Sequence, residues 1–157
     1  MIIIGVDPGK ITGIAMWQAL TPETLGSGTI MGPIKSWTVA EVGHTQVLPY
    51  IRALLRGRKP TLIACERYVQ GTGRRAMSYQ GDAQHITGEV SGLAQELECQ
   101  FVRQLAGPAK KTGNDQILKK IGCYMPTPDG HANDACRQVI RALATFYPET
   151  YARLVGI

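Results

Sequence analysis

The stretch Ile2-Ile3-Ile4-Gly5-Val6-Asp7-Pro8-Gly9-Lys10-Ile11-Thr12-Gly13-Ile14-Ala15-Met16 constrains the fold more than any other part of the chain. An apolar run, an Asp, a Pro-Gly turn and a second apolar run follow without a break. A short apolar run bounded by turn residues reads as a buried strand. Asp7 therefore falls at the end of a central strand, where an Asp is rarely found unless it is paired or holds a metal. Pro8 and Gly9 turn the chain and leave the Asp7 side chain at the rim of the sheet. Gly13, early in the returning strand, allows close approach by another element or a ligand. A phosphate-binding loop is excluded, because Gly5 and Gly9 stand one residue too close and no hydroxyl follows Lys10. Two readings remain: Asp7 caps a hairpin turn, or it is one of a set of metal ligands. Partners elsewhere in the chain must decide.

With 157 residues, the chain suits one domain, 1–157, with a sizeable core. Its hydrophobic fraction of 44% and charged fraction of 18% are those of a soluble globular protein. The net charge of +5 permits nucleic acid as a partner without requiring it. No window nears the ~18 apolar residues of a membrane span, and Ile2 to Val6 is too short for a signal peptide. A cytoplasmic location and no membrane partner are expected. Cys65, Cys99, Cys123 and Cys136 are irregularly spaced and form no C-x-x-C, which argues against a zinc ribbon. Cys65 lies in an apolar strand and reads as a small core residue.

In chain order, Thr12 to Trp17 pairs back on the first strand. Thr21 to Gly28 reads as a hairpin loop, and Thr29 to Val39 as a third strand interrupted near Gly32-Pro33. Over Thr45 to Arg56 the period changes: Val47, Tyr50, Ile51, Leu54 and Leu55 fall at helical spacing, with Pro49 in the first turn. Thr61 to Glu66 repeats the first strand's pattern, an apolar run ending in a carboxylate. Strand, helix, strand in this order predicts a parallel neighbour for the first strand, with Asp7 and Glu66 at the same edge. Taken alone, Glu66 is equally an exposed strand-end acid paired with Arg67.

Arg67 to Gln80 reads as a flexible basic loop with aromatics, and Gly81 to Glu98 as a helix whose buried stripe is Ile86, Val90, Leu93, Ala94 and Leu97. Gly88 and Gly92 give that helix a smooth face. Cys99 to Leu105 is a strand, Gly107 to Asn114 a loop, and Asp115 to Ile121 a short helix. Met125 to Gly130 is a linker with Asp129 as the N-cap or a near-cap residue of the next helix. That last helix runs from His131 to Phe146, with Ala135, Val139, Ala142, Leu143 and Phe146 on its core face. His131 and Asp134, at i and i+3, share one side of its first turn. Each alone reads as an ordinary helix-start residue.

Taken together, these segments resemble a known family. Gly5-Val6-Asp7-Pro8-Gly9 with Thr12-Gly13, then Ala64-Cys65-Glu66, then Thr87-Gly88-Glu89-Val90-Ser91-Gly92-Leu93-Ala94, a basic segment around Lys110 to Lys120, and His131-Ala132-Asn133-Asp134-Ala135 resemble, in order, the RuvC-type Holliday junction resolvases. The resemblance implies an α/β ribonuclease H-like fold, with a central mixed five-stranded sheet flanked by helices. Departures exist. Many members carry Asp where His131 stands. The segment from Lys110 to Lys119 is short. The aromatic that follows the glutamate by three residues in many members is Val69 here, with Tyr68 beside it. This compact form looks like a bacteriophage-encoded member, in the cytoplasm of a bacterium or an infected host cell.

The resemblance also implies chemistry. Phosphodiester hydrolysis is served by two divalent ions about 3.5–4 Å apart, and hard cations take oxygen ligands. Two Mg²⁺ or Mn²⁺ ions per site are expected. Asp7 would bridge them, Glu66 and Asp134 would bind one each, and His131 would ligate or orient water. Lys110, Lys111, Lys119 and Lys120 are candidates for phosphates near the metals. Arg74 and Arg75 are candidates for more distant backbone, and Tyr68 for stacking on an opened base. The expected partner is branched DNA, chiefly four-way junctions, and two symmetric nicks imply a homodimer, with its interface expected near Gly88 and Gly92. The alternatives are a fork- or flap-selective nuclease, a junction binder without turnover, and an actin-like ATPase lobe. The last needs a longer chain.

Overall fold

Alternation along the first strand decides the layering. In the computed structural model, which describes residues 1–19, 35–67 and 74–157 (backbone alone for 35 and 74–80), β1 (Ile2–Asp7) is buried at every position. It lies between β2 (Ile11–Ala19), antiparallel, and β4 (Leu62–Glu66), parallel. With β3 (Lys35–Gly43) and β5 (Gln100–Gln104) the mixed sheet has order β3-β2-β1-β4-β5. Val6 pairs with Cys65, so β1 and β4 end together and bring Asp7 and Glu66 to the same edge.

Each sheet face carries its own core. Ile2, Ile4, Val6, Ile14, Met16, Ile63 and Cys65 pack against α1 (Val47–Leu55) and α2 (Arg74–Glu96). Ile3, Ala15, Trp17, Leu62 and Ala64 face the other way, onto α5 (His131–Phe146). Period-two alternation thus sends even and odd residues of β1 to different helices. Each large side chain so buried contributes about 1.5–3 kcal/mol. Asp7, being odd-numbered, belongs to the α5 face, and so does Glu66 beyond Leu62 and Ala64. Burial pushes the Cys65 thiol up to about 12, which suits a core residue and not a nucleophile.

Several local expectations change. The helix expected from Gly81 begins at Arg74, so residues 74–80 are helical and not loop. Arg, Ala, Met and Gln favour a helix there even without an apolar stripe. The loop expected over Gly107 to Asn114 contains α3 (Ala106–Thr112). Pro108 falls in its first turn, where no amide donor is needed. Asn114, not a continuing loop residue, caps α4 (Asp115–Lys120) by accepting from the Ile117 amide at 3.0 Å. The residue that caps α5 is Gly130, in the left-handed region at φ 74°, which puts Asp129 at the near-cap position just before it. Phe146 is 41% exposed and leaves the core face it was expected on. A further helix, α6 (Pro148–Val155), follows. The loop at Thr21–Gly28, the Gly32-Pro33 break and residues 68–73 lie outside the described residues. Among the described residues, no helix is long and apolar enough to cross a membrane.

Glycines of the sheet and of α2 have opposite roles. A Cβ on Gly5 would stand 2.1 Å from the Ala135 carbonyl oxygen, so α5 rests directly on β1 there. A Cβ on Gly88 or Gly92 would meet nothing within 4 Å. Their smooth face is therefore not used for packing among the described residues. Gly92→Ala is expected to raise stability by about 0.5–1 kcal/mol in chemical denaturation, the ordinary gain of Ala over Gly in a helix. A loss instead would mean that something covers this face in solution.

Candidate active site

The site is assembled at the edge where β1 and β4 end, under the first turn of α5. Across that edge, Asp7, Gly13 and Glu41 form one row of paired residues on β1, β2 and β3. Gly13 is the gap in the row. A Cβ there would lie 1.9 Å from the His131 carbonyl oxygen and 2.9 Å from the Ala132 nitrogen. The start of α5 thus sits in the space that a side chain would fill, between two carboxylates. On one side the His131 Nδ1–H donates to Asp7 Oδ2 at 2.7 Å. On the other, Glu41 Oε1 accepts from the Ala132 amide at 3.0 Å and from the Thr127 hydroxyl at 2.7 Å. Gly130 has no side chain to cap α5, and a carboxylate from β3, Glu41, takes that role.

Asp134, one turn further on, faces two cations. Its Oδ2 is 3.1 Å from Lys110 Nζ on α3, and its Oδ1 accepts from Arg137. Arg137 also donates to Asp115 on α4 and, through Nε, to the Gly113 carbonyl at 3.0 Å. It therefore ties the α3–α4 segment to the start of α5. Glu66 is held from α5 by Gln138, whose Nε2 donates to Oε2 at 3.1 Å. Gln138 is 1% exposed, and its Oε1 is a buried acceptor without a partner among the described residues. An orphan of that kind costs about 1–3 kcal/mol, so Gln138 suits holding Glu66 better than it suits the core.

The electrostatics register the convergence of three acids. Burial, then the charges of Asp7 and Asp134, raise Glu66 to about 7. Burial raises Asp7 as well, partly offset by the His131 hydrogen bond, with Asp134 adding repulsion. The same hydrogen bond raises His131. Lys110 acts on both Asp7 and Glu66 besides pairing with Asp134, so its ammonium is the cation shared by all three carboxylates.

The sign of the pH dependence follows. Folded Glu66 keeps its proton to about pH 7, whereas at its ordinary value of 4.5 it would lose it sooner. Between those values the folded state binds more protons, so unfolding free energy falls as pH rises across the window. Asp7 and His131 are raised too and act in the same direction. Glu66→Gln is expected to be more stable than wild type above pH 7 and equal to it near pH 4.5, read by urea unfolding at a series of pH values without divalent cations. A wild-type stability that rises from pH 5 to 7 relative to the variant would contradict this.

Donor chemistry suits a hard divalent cation: three carboxylates, plus an imidazole whose Nε2 makes no hydrogen bond to a described residue. As the side chains stand, each acid is engaged by a protein partner. Among the described residues, no three His, Cys, Asp or Glu side chains already form a metal-ready group. A cation bound here would share or replace the contacts of Lys110 and His131.

The other expected residues are spread differently. Lys111 is exposed on α3. Lys119 lies over the Tyr124 ring, 4.7 Å from its centroid, and Lys120 donates to the Val155 carbonyl at the end of α6. Both are thus engaged by groups outside the carboxylate cluster. Arg74 and Arg75 open α2, where backbone alone is described, and Tyr68 lies outside the described residues. Glu41, Arg137 and Gln138 were not singled out from sequence. A signal existed for two of them: Arg137 and Gln138 follow Asp134 at i+3 and i+4, on its side of α5.

The mixed five-stranded sheet of order β3-β2-β1-β4-β5, flanked by helices, is a ribonuclease H-like fold. Within that class the chain has the RuvC-type fold. The structure of T. thermophilus RuvC in complex with Holliday junction substrate aligns over 99% of this chain and 97% of its own, at 13% identity and a TM-score of 0.61. The Thermus thermophilus RuvC structure aligns over the same shares, at 14% identity and a TM-score of 0.58. No protein-family model and no curated protein sequence matches the chain.

Proposed function

We propose that this chain is a divalent-metal-dependent endonuclease that resolves four-way DNA junctions by paired symmetric nicks. The observation that carries the reading is the convergence of Asp7, Glu66 and Asp134 at one sheet edge around the Lys110 ammonium. The RuvC-type fold, and the junction held by T. thermophilus RuvC, support it. A pure binder of phosphate has no use for clustered carboxylates, which repel it.

Asp7, Glu66, Asp134 and His131 would hold two Mg²⁺ or Mn²⁺ ions. Bound there, the ions supply charge neutralisation and an activated water for phosphodiester hydrolysis. The protein's own part is positional. Glu41 and Asp7 fix the start of α5, and Gln138 fixes Glu66. Lys110, released from Asp134, is free to meet a phosphate oxygen, with Lys111 beside it on α3. A four-way junction has two-fold symmetry, so two symmetric nicks call for two copies of the site and hence a homodimer.

An imidazole in place of a carboxylate lowers the site's negative charge and adds a softer donor. Cleavage is therefore expected to be faster with Mn²⁺ than with Mg²⁺ at equal concentration, and His131→Asp to narrow that ratio. A wild-type ratio favouring Mg²⁺ would argue against a His131 ligand. The substrate is tested by comparing four-way junction, fork, flap and plain duplex under the same conditions. Junction cleavage well above the rest supports a resolvase, and equal cleavage of forks and flaps supports a general branch nuclease.

A further inference from the structure

The sheet's other face carries a basic cavity that the metal chemistry does not use. It has a volume of about 680 Å³ and is lined by Arg67, Gln84, Thr87, Gly88, Ser91, Phe101 and Arg103. Arg67 continues β4 directly after Glu66, and its amide donates to the Gln104 carbonyl at 2.6 Å. Arg103 pairs with Cys65 and, like Phe101, projects to the α2 side. Gln84, Thr87, Gly88 and Ser91 form one stripe of α2, at i, i+3, i+4 and i+7. The cavity thus adjoins the edge that holds Glu66, but on the face away from α5.

Its chemistry is one-signed. Both arginines are exposed, and among the described residues neither side chain has a carboxylate partner. Two guanidiniums, the Ser91 hydroxyl and the Gln84 amide, with no acid among the described lining residues, suit an anion bearing several acceptor oxygens, while the Thr87 hydroxyl already donates to the Ala83 carbonyl at 2.7 Å. At Gly88 the absent side chain leaves room for a backbone-sized group to approach. The expectation of a subunit interface at Gly88 supplies no partner for these charges.

Resting on the reading of this chain as a branched-DNA nuclease, we propose that the Arg67–Arg103 cavity binds the phosphate backbone of a second DNA strand. Lys110 and Lys111 meet phosphate from the α5 face, and Arg67 and Arg103 from the α2 face. Strands diverging from a branch point can follow both faces, whereas a single straight strand follows one.

The test measures binding of a fluorescent four-way junction by anisotropy, with EDTA present, from 50 to 300 mM salt. Wild type is compared with Arg67→Ala/Arg103→Ala and with Arg67→Lys/Arg103→Lys, and sedimentation gives the oligomeric state of each. The alanine pair is expected to weaken binding by about tenfold per arginine near 0.1 M salt and to reduce the salt slope by about two. The lysine pair is expected to restore most of both, because a phosphate accepts a point charge. Unchanged affinity and slope in the alanine pair overturn the cavity's role while leaving the nuclease reading standing. A shift from two copies to one in that variant also overturns it and gives the face to a second copy of the chain. Wild type that binds no junction at any salt overturns both readings.

Discussion

Asp7→Asn is expected to abolish metal-dependent strand cleavage while leaving the fold intact. Asp7 is 7% exposed at the end of the central strand, and its Oδ2 receives the His131 Nδ1–H at 2.7 Å. An Asn side-chain oxygen accepts the same hydrogen bond in the same space. What disappears is a negative charge that burial and Asp134 already disfavour. Folding stability should therefore hold or rise, most clearly above neutral pH. On the proposed mechanism a ligand common to two cations would be lost, so cleavage should fall at least about a thousandfold, equivalent to about 4 kcal/mol of transition-state stabilisation. Thermal unfolding and single-turnover cleavage, measured on one preparation, check both halves. A variant that cleaves within tenfold of wild type would show that another group holds the metals.

Gly13→Ala should have the largest effect on stability. The new methyl would meet backbone: the His131 carbonyl oxygen at 1.9 Å, its carbon at 2.3 Å and the Ala132 nitrogen at 2.9 Å. No rotamer relieves a clash with the first turn of a helix. The start of α5 must lift, and with it go the His131–Asp7 and Ala132–Glu41 hydrogen bonds. Overpacking costs about 1–3 kcal/mol, and each buried bond broken adds about 1 kcal/mol. A loss of about 3 kcal/mol or more is expected in urea unfolding, and the fraction that remains folded should cleave poorly. Gly92→Ala, the same change in open space, is the control. Wild-type stability in Gly13→Ala would contradict the seating of α5 on the sheet.

Much of this arrangement was legible in the sequence because it rests on strong local signals. Two apolar runs each ending in a carboxylate, with a helical period between them, imply parallel neighbours and a shared edge, and Val6 does pair with Cys65. The start of α5 at His131 followed from the change of period after a Pro-rich linker. Legibility failed where tertiary context overrides local chemistry. Pro108 signals a break, yet a first-turn proline is compatible with α3. Phe146 has the right period for the core, but α5 ends beside it and leaves it at the surface. Asp129 stands one residue before the cap of α5, and the capping carboxylate comes from Glu41, far away in sequence. No local pattern reveals a partner on another strand. Gly13 hinted at it, since a glycine within an apolar strand signals a close approach, but not which element approaches.

The most direct measurement uses a four-way junction with a fixed branch point, labelled on each strand in turn and incubated with the wild-type chain with and without Mn²⁺. The predicted result is a pair of nicks at symmetry-related positions on two opposing strands, present only with the cation. Cuts confined to one strand, cleavage that needs no metal, or tight binding without any nick would contradict a metal-dependent junction resolvase built on Asp7, Glu66 and Asp134.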